Sequence, residues 1–108
     1  MNINEKDWKM LRKKLPDWQE NYMERLNNEY MAILSSDELP STKFWELEKR
    51  INSDKRDTGV MVEDMSRSRM TTIIMDLLNE GAITIDDLSD FSEDLKELMR
   101  RFYSLRWG

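Results

Sequence analysis

The sequence predicts an all-α protein, an irregular bundle of four to five short amphipathic helices folded as a single domain over residues 1–108. Three observations carry that expectation. Only three glycines and two prolines occur in 108 residues, whereas each tight β-hairpin asks for Gly, Asn-Gly or Asp-Gly at its reversal. The chain is rich in Leu, Glu, Lys, Arg and Met, all strong helix formers. Its apolar residues recur three and four apart rather than two apart, which is the helical period. A chain of 13.1 kDa buries roughly 60–70% of its unfolded surface, enough for one core.

The elements follow in order. After Asn4, a favourable N-cap type, Trp8, Leu11 and Leu15 fall at helical spacing among lysines and arginines, predicting a short leading helix over about residues 1–15. Pro16 disfavours helical geometry in the residue before it and suits the first turn of a new helix, where Asp17 and Glu20 are well placed. A second helix is therefore expected from Pro16 to Leu34, with Trp18, Tyr22, Leu26, Tyr30 and Ile33 facing inward and Met23 and Leu34 widening the stripe. "SSDELPS", residues 35–41, collects turn formers and reads as a loop. Ser41 or Thr42 then caps a third helix whose inward residues are Phe44, Leu47 and Ile51, with Trp45 on a neighbouring flank. The polar run before Gly59 ends that pattern, so residues 52–60 are expected to form a flexible loop.

A fourth helix is expected from about Glu63 to Glu80, with Met70, Ile73, Ile74, Leu77 and Leu78 as its apolar face and Gly81 just past its end. Thr84 and Asp87 have the spacing of a capping box, opening a short turn through Leu88 and Phe91. Ser92 caps a final helix with Glu93 and Asp94 in its first turn, Arg100 and Arg101 near its end, and Leu95, Leu98, Met99, Phe102 and Leu105 on one face.

One stretch raises a chemical question. "DLLNEGAITIDD", residues 76–87, resembles the twelve-residue calcium loop of the EF-hand family in its leading acid, its glycine at position six and its carboxylate at position twelve. Position three is Leu78, which offers no oxygen, and position twelve is Asp87, shorter than the usual bidentate Glu. The same residues read as a helix end, a Gly cap and a Thr cap, so a joint between two helices is expected and no metal or cofactor is assigned.

Composition narrows the chemistry. The chain has no histidine and no cysteine, which removes the usual general base near neutral pH, thiolate nucleophiles and Cys- or His-based metal sites. The first ten residues are polar and no apolar run exceeds four residues. A cytoplasmic protein with no membrane span is expected. A net charge of −5 and a pI near 4.8 oppose direct nucleic-acid binding. A basic patch of Lys9, Arg12, Lys13 and Lys14, which Arg67, Arg69, Arg100 and Arg101 could extend, nevertheless keeps phosphate contact in view.

Nine methionines and four tryptophans stand out. Most are expected to fill the core. Trp8, on a short leading helix, and Trp107, next to the C-terminal residue, are the candidates for an interface. The expected function is binding of another protein without catalysis, as an adaptor or regulator, with a second copy of the chain as one such partner. An alternative is an acidic decoy that inhibits a nucleic-acid-processing enzyme, in the manner of phage inhibitors of host defence. Its acidic face would be Asp86, Asp87, Asp90, Glu93, Asp94 and Glu97. A carboxylate- or metal-dependent enzyme ranks last, because carboxylates at helical spacing most often form a solvated face.

Overall fold

Helix α1 organises the chain. The structure, a computed structural model, describes residues 4–107, except for the side chains of Arg106 and Trp107. Asn4 Oδ1 accepts the N–H groups of Lys6 and Asp7, and from that cap α1 (Glu5–Leu34) runs for 30 residues, about 45 Å at 1.5 Å per residue. The expected break at Pro16 does not occur, so the short leading helix and the second helix are one. An interior proline removes a backbone donor and costs about 3 kcal/mol. Two features offset that cost. Pro16 and Arg12 are both exposed, so solvent can reach the carbonyl that loses its partner. The apolar stripe also stays in phase through the proline: Trp8, Leu11, Leu15, Trp18, Tyr22 and Leu26 step by three or four residues and are buried or half-buried throughout.

The first half of α1 forms one wall of the core. Trp8, Leu11 and Leu15 pack with Met70, Ile73, Ile74, Leu77 and Leu78 of α3 (Met70–Asn79) and with Leu95 and Met99 of α4 (Glu93–Trp107); Ile83, Leu88 and Phe91 close the cluster between those helices. Helix α3 begins later than expected, after a 3₁₀ turn at Arg67–Arg69, because Glu63 to Ser66 carry no apolar stripe to hold a helix against the core. It ends as expected. Gly81 adopts φ 75°, its N–H bonds to the Leu78 carbonyl, and the Ala82 N–H bonds to the Leu77 carbonyl; this paired arrangement terminates a helix at a left-handed residue. Thr84 and Asp87 form the capping box of a 3₁₀ turn at Ile85–Leu88. On α4 the buried residues are Leu95 and Met99, while Leu98 and Phe102 are half-buried and Leu105 is 89% exposed. The expected stripe thus ends one turn early.

Asp7 joins the two ends of this core. Its carboxylate is 2% exposed and accepts both the Ser92 N–H at 2.8 Å and the Ser92 hydroxyl at 2.6 Å. Ser92 Oγ in turn accepts the Leu95 N–H at 3.2 Å, capping the first turn of α4.

The second half of α1 leaves the core and is flanked by α2 (Pro40–Asp54) and the segment after it; α2 opens with a proline in its first turn and has no buried residue. Phe44 and Ile51, expected to face inward, are exposed. Lys43, Leu47, Arg50 and Asp54 are the half-buried residues. The reason is polar: Arg50 pairs with Glu29 at 2.7 Å and with Asp54 at 3.3 Å, and Tyr30 donates to Asp54 at 2.7 Å. These contacts set the rotation of α2 about its axis. The hairpin gives the molecule extents of 53 × 29 × 18 Å and a radius of gyration of 16.4 Å, against about 13 Å for a compact chain of this length. Among the described residues there is no β-strand, and no helix is long and apolar enough to cross a membrane.

The segment expected as a flexible loop is tied down. Tyr22 donates to Asp57 at 2.5 Å, Gln19 donates to the Thr58 carbonyl, and the Glu80 carboxylate accepts the N–H groups of Thr58 and Gly59. Gly59 lies flush on the Tyr22 ring, where a Cβ would overlap ring atoms. Burial, followed by the hydrogen bond to Asp57, pushes the Tyr22 hydroxyl well above the usual tyrosine range.

Three stability outcomes follow. Pro16→Ala restores a helix donor and should stabilise the protein by up to about 3 kcal/mol, read as a higher urea midpoint; an unchanged or lower midpoint would contradict a continuous α1. Leu95→Ala should cost about 2–5 kcal/mol, whereas Leu105→Ala should stay within about 0.5 kcal/mol, and equal effects would misplace the α4 stripe. Asp7→Ala leaves two donors of Ser92 without their acceptor and should cost about 1–3 kcal/mol.

Candidate docking surface on the hairpin

The α1–α2 hairpin has two unlike sides. One is ionic, built around Arg50, whose guanidinium bridges Glu29 and Asp54 and lies 5.7 Å from the Tyr30 ring centroid. Burial and the hydrogen bond to Asp54 raise the Tyr30 hydroxyl to about 12. The other side is an apolar groove of about 300 Å³ lined by Met23, Leu26, Asn27, Tyr30, Ile51, Lys55 and Val60.

Helical spacing extends this groove toward the tip. Leu34 lies one turn beyond Tyr30 on α1, and Phe44 lies two turns before Ile51 on α2, so both continue the same side. Leu34 is half exposed, Phe44 is 61% exposed and Trp45 is 63% exposed. The Phe44 and Trp45 rings meet edge to face with centroids 5.0 Å apart, a favourable arrangement for two aromatics. Met31 and Leu39 add exposed apolar surface near the turn. Isolated exposed apolar residues are ordinary, but several gathered at the tip of one hairpin beside an apolar groove mark a contact surface.

The residues singled out from sequence fall elsewhere. Trp8 is 5% exposed, with the Arg67 guanidinium 5.9 Å from its ring centroid; it belongs to the core because the first turns of α1 pack against α3 and α4. The Trp107 side chain lies outside the described residues. The six acids of residues 86–97 do not form an unbroken negative face. Asp87 accepts from the Thr84 N–H and hydroxyl, and Glu93 pairs with Lys96 at 2.8 Å. Glu97 reaches Arg101 at 3.3 Å and Arg100 at 3.9 Å. Asp90 pairs with Lys14 at 3.0 Å, and the hydrogen bond and charge of Lys14 hold its carboxyl below the usual range. Asp86 and Asp94 are exposed and have no ion-pair partner among the described residues.

The basic patch is divided in the same way. Lys14 turns toward Asp90, while Lys9, Arg12 and Lys13 stay exposed on the outer side of α1. Arg67 pairs with Glu5 at 2.7 Å. Among the described residues no group of three or more Asp, Glu, His or Cys side chains is placed to hold a metal ion. In the stretch resembling a calcium loop, Leu77 and Leu78 are core residues and Asp87 is engaged by Thr84.

Sequence reasoning placed Phe44 and Ile51 in the core and so missed the groove. The signal was the adjacent pair Phe44-Trp45. Neighbours on a helix point about 100° apart, so α1 alone cannot bury both rings. Comparison with known protein families, curated proteins and solved structures returns no match.

Proposed function

We propose that the protein acts by binding another protein through the apolar side of its α1–α2 hairpin, as a non-catalytic adaptor or regulator. The supporting observation is that α2 buries none of its residues while its ionic side is already satisfied by Glu29, Arg50 and Asp54. Phe44, Trp45 and Ile51 therefore contribute little to folding where they stand, and each adds stability only once covered. Trp and Phe bury about 150–250 Å² each on contact, worth a few kcal/mol per ring at roughly 25 cal/mol per Å².

The test separates folding from binding. Phe44→Ala and Trp45→Ala should each leave stability within about 0.5 kcal/mol of the parent. A partner isolated on the parent chain should lose about 30-fold or more in affinity for the Trp45→Ala variant, the size of an interface hot spot. An affinity unchanged by both substitutions overturns the assignment.

A further inference from the structure

We infer that the occupant of the groove is a single amphipathic helix with cationic flanks, supplied by another protein, which turns the two-helix hairpin into a three-helix bundle. This rests on the docking reading above and adds the partner's shape and charge. Shape comes from the walls. The groove runs between two antiparallel helices, from Val60 and Met23 at its base to Leu34 and Phe44 near the tip. Met23 to Leu34 spans about 16 Å of α1, or three turns, which suits apolar anchors at positions i, i+3 or i+4, and i+7 of a bound helix.

Charge comes from the hairpin as a whole. Residues 16–54 hold nine acidic and four basic side chains, a net charge of −5, the same as the entire chain, while residues 1–15 and 55–108 balance each other; Lys55, the one charged side chain lining the groove, follows that span at the groove's base, away from the tip. Two of the four cations are already engaged. Arg50 bridges Glu29 and Asp54, and Arg25 donates to the Gly81 carbonyl while lying over the Tyr22 ring. Glu20 precedes Met23 by three residues and Glu48 sits between Phe44 and Ile51 at spacings of four and three, so exposed carboxylates edge both walls. A second copy would set one −5 hairpin against another. A helix whose apolar stripe is bordered by Lys and Arg meets complementary charge instead.

The test uses two synthetic helical peptides of roughly 20 residues, long enough to form a helix. They share one Leu/Ile stripe and differ only in flanks of Lys and Arg or of Gln and Ser. Each is titrated calorimetrically into the full chain at about 0.05 M and about 0.3 M salt, between which the screening length falls by a factor of about 2.4. The cationic peptide should bind at least about tenfold more tightly at low salt, with the gap narrowing at high salt. Ile51→Ser should weaken both peptides, and a Glu20→Lys, Glu48→Lys double variant should remove the preference. Equal affinity for the two peptides overturns the cationic flank and leaves the docking reading intact. Binding of both that is indifferent to Ile51→Ser and Phe44→Ser overturns the docking reading itself. Failure of both peptides overturns the helical occupant, and a sedimenting dimer that Ile51→Glu dissociates identifies a second copy in its place.

Discussion

The length of α1 is the constraint from which the rest of the architecture follows. Its 30 residues reach about 45 Å, whereas the 10 residues of α3 and the 15 of α4 reach about 15 and 22 Å. A core built from two short helices can cover only part of a long one. The covered part runs from Trp8 to Trp18, whose ring stacks on Phe91, and the remainder must find its own cover. One further helix and the segment that follows it supply that cover on one side only. A pair of helices buries the seam between them and little else, so the hairpin keeps an apolar side facing outward as a geometric consequence of unequal lengths.

The hairpin is not left to swing from that core. Tyr22 and Gln19 on α1 hold the segment after α2 through Asp57 and Thr58, and Glu80 at the end of α3 holds the same segment through two backbone N–H groups. Arg25 reaches the Gly81 carbonyl from α1. Three elements thus converge at the base of the groove, next to Val60. Fixing the walls before a partner arrives lowers the ordering cost of association. It also explains why Gly59 has no room for a side chain: the segment must lie close enough to Tyr22 for the Asp57 hydrogen bond to form.

What could be read from the sequence was set by local rules, and what could not was set by contacts between distant residues. The Asn4 cap, the Gly81 terminus, the Thr84–Asp87 box and the apolar run of α3 depend on near neighbours, and each stands where spacing placed it. Pro16 misled because a local preference of about 3 kcal/mol was outweighed by a stripe that gains burial on both sides of it. Phe44 and Ile51 misled for the opposite reason: periodicity shows that a helix has an apolar side but not that anything lies against it. Trp8 misled because the residues that cover it, on α3 and α4, lie some sixty to ninety positions away in the chain. The acidic run at 86–97 looked continuous in one dimension, whereas Lys14, Lys96, Arg100 and Arg101 interleave with it in three.

The distribution of charge gives the two halves of the molecule different relations to a partner. Around the core, acids and bases neutralise one another at close range, which adds little stability at an exposed surface but leaves no strong field. Along the hairpin nine acids face four bases, and the excess acts over roughly a Debye length, about 8 Å at physiological salt. Such a field speeds encounter with a cation and discourages association with like charge, while apolar contact supplies the persistence of the complex. Placing both properties on the one element that the core cannot cover makes the hairpin selective in sign as well as adhesive. An apolar patch of the same size on a neutral hairpin would accept any greasy helix, including that of its own copy.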